Sequence, residues 1–169
     1  MNYRDWEKTV SGTIRADSLW KMTAYRLATL LGDLAWHDST KLAQDHRMLR
    51  LSDQLYGAVG SSIGANIAEG YSMGTGKNRA RYYEYALGSA RESRDWYNKS
   101  RHVLGDAIVE HRMLLLAEII KLLLTTIPQQ RQSAIREETA DYEIASEKDG
   151  SPEASWDKPD VPLQNIPLP

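Results

Sequence analysis

The chain has 169 residues, of which 41% are hydrophobic and 26% are charged, and it contains no cysteine. This length and composition are typical of one globular domain with its own core. The lack of cysteine excludes disulfides and thiolate metal sites, which favours a reducing, cytoplasmic location. Residues 1–8 lack the apolar stretch of a signal peptide, so we do not expect secretion. The longest apolar run, residues 114–127, is interrupted by charge and too short to span a membrane.

The charge is divided unevenly along the chain. Residues 1–136 hold 19 Lys and Arg against 14 Asp and Glu, whereas residues 137–169 hold 2 against 9. A basic body therefore carries an acidic tail. The positive excess favours an anionic partner such as nucleic acid, because clustered Lys and Arg attract phosphates. An ordinary solvated surface is the alternative that composition leaves open.

The body is predicted to be entirely helical. No proline occurs before Pro128, and no segment alternates apolar and polar residues as a half-buried strand does. Residues 1–16 form an N-terminal extension, in which a short helix is an open alternative. The first long helix is predicted from Ser18, as N-cap, to Trp36, and the polar cluster at residues 37–40 is expected to break it.

Three further long helices follow in the sequence. They are predicted over residues 47–69, 77–104 and 107–127. Gly70 closes the first of these, Gly105 is a good C-cap for the second before Asp106 caps the next helix, and Pro128 ends or kinks the last. The short connections favour antiparallel neighbours, so residues 17–136 are predicted to form an antiparallel up-down four-helix bundle.

The acidic tail, residues 137–169, is predicted to be largely irregular. Its apolar content is too low to offset the entropy lost on ordering. Trp156 and residues 161–169 are the exception, because apolar residues spaced by prolines suit docking on a groove of a neighbouring subunit or of another protein. A solubilising tail with no bound partner is the alternative.

The fourth predicted helix is apolar around most of its circumference. A single stripe about 100° wide cannot hold all of its apolar residues, so burial on more than one side is expected. These residues are Leu114, Leu115, Leu116, Ile119, Ile120, Leu122, Leu123 and Leu124. The surplus apolar area predicts a homo-oligomer.

Small residues recur at helical spacing on the second and third predicted helices. The strip on the second comprises Gly57, Ser61, Gly64, Ala65 and Ala68, and that on the third comprises Ala86, Ser89, Ala90 and Ser93. A glycine inside a helix costs about 1 kcal/mol relative to alanine. Glycines on a helix face therefore indicate that the backbone of another helix packs closely against it. The two strips are therefore predicted to face each other.

Polar residues beside these strips raise the question of chemistry. Ser62, Asn66 and Glu69 share one edge of the second helix, and Ser89 and Glu92 lie three apart on the third. A di-metal carboxylate site needs Glu-x-x-His pairs, which this sequence lacks. No nucleophile, phosphate loop or zinc motif accompanies the carboxylates. A structural role is favoured, in which Asn66, Glu69 and Glu92 bond to serines, tyrosines or main-chain groups and set the register of the bundle.

The segment Asn66-Ile67-Ala68-Glu69-Gly70, with Gly88-Ser89-x-x-Glu92 after it, resembles the four helix bundle protein family. That family includes proteins encoded in 23S rRNA intervening sequences and the accessory variability determinants of diversity-generating retroelements. The likeness extends over about residues 17–127 and leaves out the N-terminal extension and the acidic tail. It matches structural positions only: Ser62, Asn66, Glu69, Gly70, Ser89 and Glu92.

The resemblance implies a subunit of a ring-like homopentamer with a basic surface and no enzymatic activity, cofactor or metal. In retroelements such a protein binds RNA and the reverse transcriptase, so we expect an adaptor for RNA or an RNA/DNA hybrid. The predicted nucleic-acid contacts are Lys77, Arg79, Arg81, Arg91, Arg94 and Arg101. A protein-interaction scaffold, or an rRNA intervening-sequence protein without a polymerase partner, is the alternative. An enzyme using Glu69 and Glu92 is the least favoured.

Overall fold

A computed structural model describes residues 1–139 and 163–169, with side chains as far as residue 132 and again from 163. Every regular element in these residues is helical, as predicted. The helices are α1 (Tyr3–Thr9), α2 (Gly12–Arg15), α3 (Thr23–Leu42), α4 (Leu49–Tyr56), α5 (Gly64–Tyr71), α6 (Gly76–Leu104) and α7 (Asp106–Thr139). Short 3-10 turns at Ser18–Lys21 and His46–Met48 precede α3 and α4, and a π-helical segment, Gly57–Ile63, joins α4 to α5.

The two longest helices, α6 and α7, lie against each other. Beside them pack α3 and the rod that α4, the π-helical segment and α5 form together. Along α6 the buried positions repeat every seven residues, which is the pattern of helices that pack nearly parallel to their neighbours. One series is Tyr83, Ala90, Tyr97 and Leu104, and the other is Ala86, Ser93 and Ser100. The buried face of α7 is aliphatic, with Leu115, Leu116, Ile119 and Leu123 at its centre.

Both ends of α6 follow from local sequence signals. The Thr75 hydroxyl accepts a hydrogen bond from the amide of Asn78 at 3.3 Å, which satisfies one free donor of the first turn. At the other end Gly105 has φ of +84° and donates its amide to the carbonyl of Arg101 at 2.9 Å. Only glycine adopts that backbone conformation readily. The predicted bounds, 77–104, therefore agree with the structure to within one residue.

The first long helix differs from its prediction at both ends. Asp17, not Ser18, acts as the cap, because its carboxylate accepts from the amide of Leu19 at 2.8 Å and starts a 3-10 turn. The predicted break at residues 37–40 is wrong, since α3 continues to Leu42. Within this cluster the side chain of Asp38 is buried on the side of α3 that faces the core, while His37 and Thr40 face solvent. The cluster is therefore one turn of an amphipathic helix.

The second rod, Leu49–Tyr71, contains a π-helical segment that was not predicted. The hydroxyls of Ser61 and Ser62 both donate to the carbonyl of Gly57, at 2.6 and 2.9 Å. The carbonyl accepts both bonds across a widened turn, and these side-chain bonds compete with the ordinary helical hydrogen bond to that carbonyl. Gly70 does not end the helix but lies one residue inside it.

The small-residue strip of this rod does not face α6, so that prediction is wrong. Its members Ser61 and Ala65 are exposed, and with Gly64 and Ala68 they line a cleft of about 460 Å³ between the rod and α3. At the base of the cleft, a Cβ added to Gly32 would lie 3.6 Å from the carbonyl oxygen of Gly60. The close backbone approach therefore lies between α3 and the π segment.

A close approach of α5 to α6 does occur, at Gly70. A Cβ at this position would lie 2.6 Å from Cε1 of the buried Tyr83 ring and 3.1 Å from Cβ of Tyr82. No real side chain fits at such distances without displacing the ring. Gly70 thus allows Tyr83 to pack against the backbone of the neighbouring helix.

The last helix is longer than predicted, because α7 continues through Pro128 to Thr139. Pro128 removes the hydrogen bond to the carbonyl of Leu124, but both residues are exposed, so water can satisfy that carbonyl. The chain itself buries Leu115, Leu116 and Ile119 on this helix, together with Ile120 and Leu123. Only Leu114 and Leu124 of the predicted apolar set are classed as exposed. None of the described helices is both long and apolar enough to cross a membrane.

The N-terminal extension contains the short helix α1 and packs onto the core. Trp6 is buried and donates its indole N–H to Asp33 of α3 at 2.7 Å. Its ring lies 6.3 Å from that of Trp20, between centroids. Burial raises the pKa of the neighbouring Tyr3 to about 12. Predictions about Trp156 and the rest of residues 140–162 fall outside the described residues, whereas residues 163–169 contain no regular element and lie against the body.

One ion pair lies inside the core, between Asp38 of α3 and Arg112 of α7, and both side chains are fully buried. The pair is bidentate, with Nε of Arg112 at 2.8 Å from Oδ2 and Nη2 at 3.0 Å from Oδ1. The hydroxyl of Tyr97 on α6 donates to Oδ2 at 2.9 Å. Burial, followed by the charge of Asp38, raises the pKa of Tyr97 well above its usual value. Three helices therefore meet at one carboxylate.

Replacing Gly70 by alanine should destabilise the protein by about 1–3 kcal/mol, because the new methyl group overpacks the Tyr83 ring. The matched control is Gly88→Ala on α6, where an added Cβ meets no atom within 4 Å. This control should stabilise the fold by about 0.5–1 kcal/mol through helix propensity. Urea unfolding followed by circular dichroism measures both. Equal effects of the two substitutions would contradict the close approach at Gly70.

A double-mutant cycle tests the buried pair. Arg112→Met leaves a buried carboxylate without its cation, and Asp38→Leu leaves a buried guanidinium without its anion, so each should cost about 3–5 kcal/mol. The double variant should cost well below the sum of the two, because neither charge remains. Additive losses in the free energy of unfolding would show that the two side chains do not interact.

Candidate nucleic-acid interface

The solvent side of α6 carries a row of basic residues. Five of the six predicted contacts are exposed: Lys77, Arg81, Arg91, Arg94 and Arg101. From the first to the last they extend over about 36 Å, at 1.5 Å per residue. Arg94 and Arg101 are one heptad apart and share one position on the helix surface.

Arg79 is the sixth predicted contact, and it differs from the others. Its side chain is half-buried, and its Nε donates to the carbonyl of Met73 at 2.8 Å. One of its terminal nitrogens lies 3.4 Å from Oε1 of Gln130 on α7. Arg79 therefore ties the α5–α6 connection to α7, which leaves it less able to bind a phosphate.

Carboxylates on the same surface are engaged by other cations or donors. Asp95 pairs with Lys99, one turn along α6, and Glu84 pairs with Arg131 of α7. Glu92 accepts from the indole N–H of Trp96 at 3.3 Å. Among the described residues, the side chains of Lys77, Arg91 and Arg94 form no hydrogen bond or ion pair. These cations are thus available to an external anion.

An aromatic cluster lies at the beginning of the row. Tyr85 is 46% exposed, and its ring packs edge-on to that of Tyr82 with centroids 5.9 Å apart. Nε of Arg81 donates to the hydroxyl of Tyr85 at 2.7 Å, and this hydrogen bond raises the pKa of Arg81. An exposed tyrosine beside an arginine is the usual arrangement for stacking an unpaired base.

The polar motif residues keep their hydrogen bonds within single helices. Asn66 donates its side-chain amide to the carbonyl of Ser62 at 2.8 Å, and the carbonyl of Ser89 accepts from Ser93 at 2.7 Å. Glu69 is exposed and has no hydrogen-bond partner among the described side chains. These contacts do not cross between helices. Contrary to the prediction, they therefore do not set the register of the bundle. In the part of the chain that is described, no group of His, Asp or Glu side chains is arranged to hold a metal ion.

The residues that do cross between helices, Asp38, Tyr97 and Arg112, were not singled out from the sequence. Arg112 interrupts an apolar stripe formed by Ile108, Leu115 and Leu116, and a charge at such a position needs a buried partner. That signal was present in the sequence. The partner was not identified because Asp38 lies in a polar cluster that resembles a helix end.

The comparison with known families agrees with the resemblance drawn from the motif residues. A family model described as 23S rRNA-intervening sequence protein matches residues 21–125, which include α3 to α6 and the first half of α7. No curated protein and no solved structure gives a significant match. Since the matched region covers more than half of the chain, the protein belongs to the 23S rRNA-intervening sequence protein family.

Proposed function

We propose that the protein is a non-catalytic RNA-binding subunit, built as an antiparallel up-down four-helix bundle, that holds RNA or an RNA/DNA hybrid on the outer surface of α6. The observation that carries this proposal is the row of exposed basic residues, three of which have no partner among the described side chains. The family name refers to an intervening sequence of 23S rRNA and names no ligand, so the choice of RNA depends on the basic surface and on the resemblance to the retroelement accessory proteins.

Phosphate contacts dominate the proposed binding. Arg91, Arg94 and Arg101 occupy about 15 Å of helix and contact consecutive phosphates, which carry no sequence information. Tyr85 and Arg81 add a stacking surface for an unpaired base at one end of the row. The binding is therefore salt-dependent and tolerant of sequence, as suits a protein that presents an RNA to another factor.

The partner factor in this proposal is a reverse transcriptase, as in diversity-generating retroelements. The resemblance of the Asn66–Gly70 segment to the retroelement accessory proteins supports this part. A reverse transcriptase gene next to the coding sequence is the expected observation. A genomic neighbourhood without one would contradict the adaptor role and favour a family member that binds RNA without a polymerase.

A homo-oligomer is also part of the proposal, and by family resemblance a pentamer. The single chain buries most of α7, so the predicted surplus of apolar area reduces to Leu114 and Leu124 on its outer surface. These two leucines, separated by the aliphatic stem of Lys121, are the proposed contact with a second copy.

A protein-interaction scaffold is the second candidate function, and the cleft beside α3 favours it. Trp36 is 60% exposed at its rim, with its ring 5.8 Å from that of Tyr56. Exposed aromatic side chains beside a cleft floored by glycine and alanine are typical of protein contact sites. Loss of a protein partner on Trp36→Ala, with RNA affinity unchanged, would support this function over RNA binding.

The RNA-binding surface is tested by a triple substitution, Arg91→Ala, Arg94→Ala and Arg101→Ala. We expect the affinity for a structured RNA at 0.1 M salt to fall by about 10- to 100-fold, and the salt slope to fall by about 2–3, because three phosphate contacts are lost. Fluorescence anisotropy over a salt series measures both quantities.

The charge-matched control is Lys8→Ala, Lys41→Ala and Arg50→Ala, which removes three exposed cations from other helices. It should reduce the affinity far less than the α6 variant. Equal losses in both variants would indicate a non-specific effect of net charge. The absence of binding by the unaltered protein at micromolar concentration would refute the proposal.

The oligomer is tested by Leu114→Glu with Leu124→Glu, which places two charges on the proposed contact. The molar mass measured by light scattering should fall to that of a single chain, because buried unpaired carboxylates are costly. Gln44→Glu with Gln54→Glu adds the same charge at exposed sites elsewhere and should leave the mass unchanged. If the unaltered protein already has the mass of one chain, the oligomer proposal is wrong.

A further inference from the structure

The last seven residues of the chain lie against its N-terminal segment. The amide of Tyr3 donates to the carbonyl of Leu163 at 2.9 Å, and the amide of Ile166 donates to the carbonyl of Met1 at 2.8 Å. Because the residue numbers rise on one segment as they fall on the other, the two segments pair in an antiparallel sense. Tyr3 is the first residue of α1, so the carbonyl of Leu163 satisfies a free amide in the first turn of that helix. Between the two bonds the segment bends at Gln164 and Asn165, where Asn165 has a left-handed φ of +56°.

A single apolar anchor accompanies the backbone bonds. Ile166 is 3% exposed and belongs to the hydrophobic core of the protein, whereas Leu168 two residues later is 45% exposed. Burial of the isoleucine side chain removes apolar surface from water and so stabilises the bound segment. Ile166 is therefore the one buried side chain of the segment, while Leu163 packs against the core and Pro167 is half-buried.

A polar contact sets the position of the anchor. Nη2 of Arg112 donates to the carbonyl of Pro167 at 3.0 Å. The guanidinium is oriented by groups of the body, because Asp38 holds two of its nitrogens and Nδ1 of His111 accepts from the third at 2.9 Å. The donor for the segment thus exists before the segment binds.

The C-terminal segment lies in a groove formed by residues 1–3, α1 and the Arg112 region of α7. We infer that this groove is a peptide-binding site. Its ligand is the C-terminal segment Leu163–Pro169 of this chain, bound reversibly and exchangeable with the same segment of a second copy. Three determinants select the ligand: a backbone that bends at Gln164–Asn165 and bonds to Met1 and Tyr3, isoleucine as the anchor, and the carbonyl of Pro167 facing Arg112. Proline after the isoleucine suits the site, because it keeps the chain extended and brings no further N–H to satisfy.

The length of chain that connects the segment to α7 supports exchange. Residues 140–162 connect α7 to the segment, and 24 peptide links from Thr139 to Leu163 reach at most about 80 Å. The covalent connection keeps the segment near its own groove, which it fills in the isolated chain. In an assembly, the terminus of a neighbour competes on equal terms. This inference does not depend on RNA binding.

The full-length variant Ile166→Asp tests the site, because a charge at the anchor should release the tethered segment. A fluorescent peptide with the sequence of residues 160–169 should bind this variant saturably, and at least tenfold more tightly than it binds the unaltered protein, whose groove is filled. A peptide carrying Ile166→Asp should not bind, and one carrying Leu168→Ala, at an exposed position, should bind as well as the natural sequence. Equal binding of all three peptides, or none by the natural one to a folded variant, would overturn the inference.

A second experiment remains informative if Ile166→Asp prevents folding. A protease site inserted near residue 150 of the full chain is cut after folding, so the tail becomes a separate fragment. The fragment should co-elute with the body at high concentration, and an excess of the labelled peptide should displace it and take its place. Immediate loss of the fragment with no uptake of peptide contradicts the inference, and so does a fragment that never exchanges, which would make it a permanent part of the core.

Discussion

The buried pair of Asp38 and Arg112 is the constraint on which the arrangement of the helices depends. Two charges with no exposure to water must stay together, since separating them leaves an uncompensated charge in the core. Tyr97 adds a third helix to the same carboxylate. Apolar side chains tolerate small slides of one helix past another, but a bidentate pair does not. The register of α3, α6 and α7 is therefore specified at one point, and the aliphatic contacts adjust around it.

That register decides which residues of α6 face solvent. With Tyr97, Ser93 and Ser100 turned inward, Arg91, Arg94 and Arg101 lie on the exposed side of α6, although Leu87, at the same heptad position as Arg94 and Arg101, is buried. The small buried serines also help, because their hydroxyls donate to carbonyls one turn earlier and leave no buried donor unpaired. The basic row is thus a consequence of core packing as well as of composition. A change in the core register would rotate the proposed interface away from its ligand.

The sequence predicted those parts of the fold that depend on local signals. The bounds of α6 follow from Thr75 and Gly105, whose roles need only their own neighbours. Predictions failed where a distant contact outweighed a local preference. Asp38 resembled part of a helix break because its partner is 74 positions away, and Pro128 did not end α7 because its lost hydrogen bond faces water. For the candidate interface, all six cations of α6 were predicted as contacts and five are exposed, whereas the inward bonds of Arg79 depend on the α5–α6 connection and α7.

The two chain ends extend the family core at the same buried guanidinium. The family match covers residues 21–125, so α1 and residues 163–169 lie outside it, while Asp38 and Arg112 lie within it. Arg112 has donors left after pairing with Asp38, and a buried donor without an acceptor is costly. The carbonyl of Pro167 meets that need, and the backbone of residues 1–3 holds the segment beside it. A core that contains this ion pair therefore presents an oriented hydrogen-bond donor to an added segment, which explains why both extensions of this chain converge there.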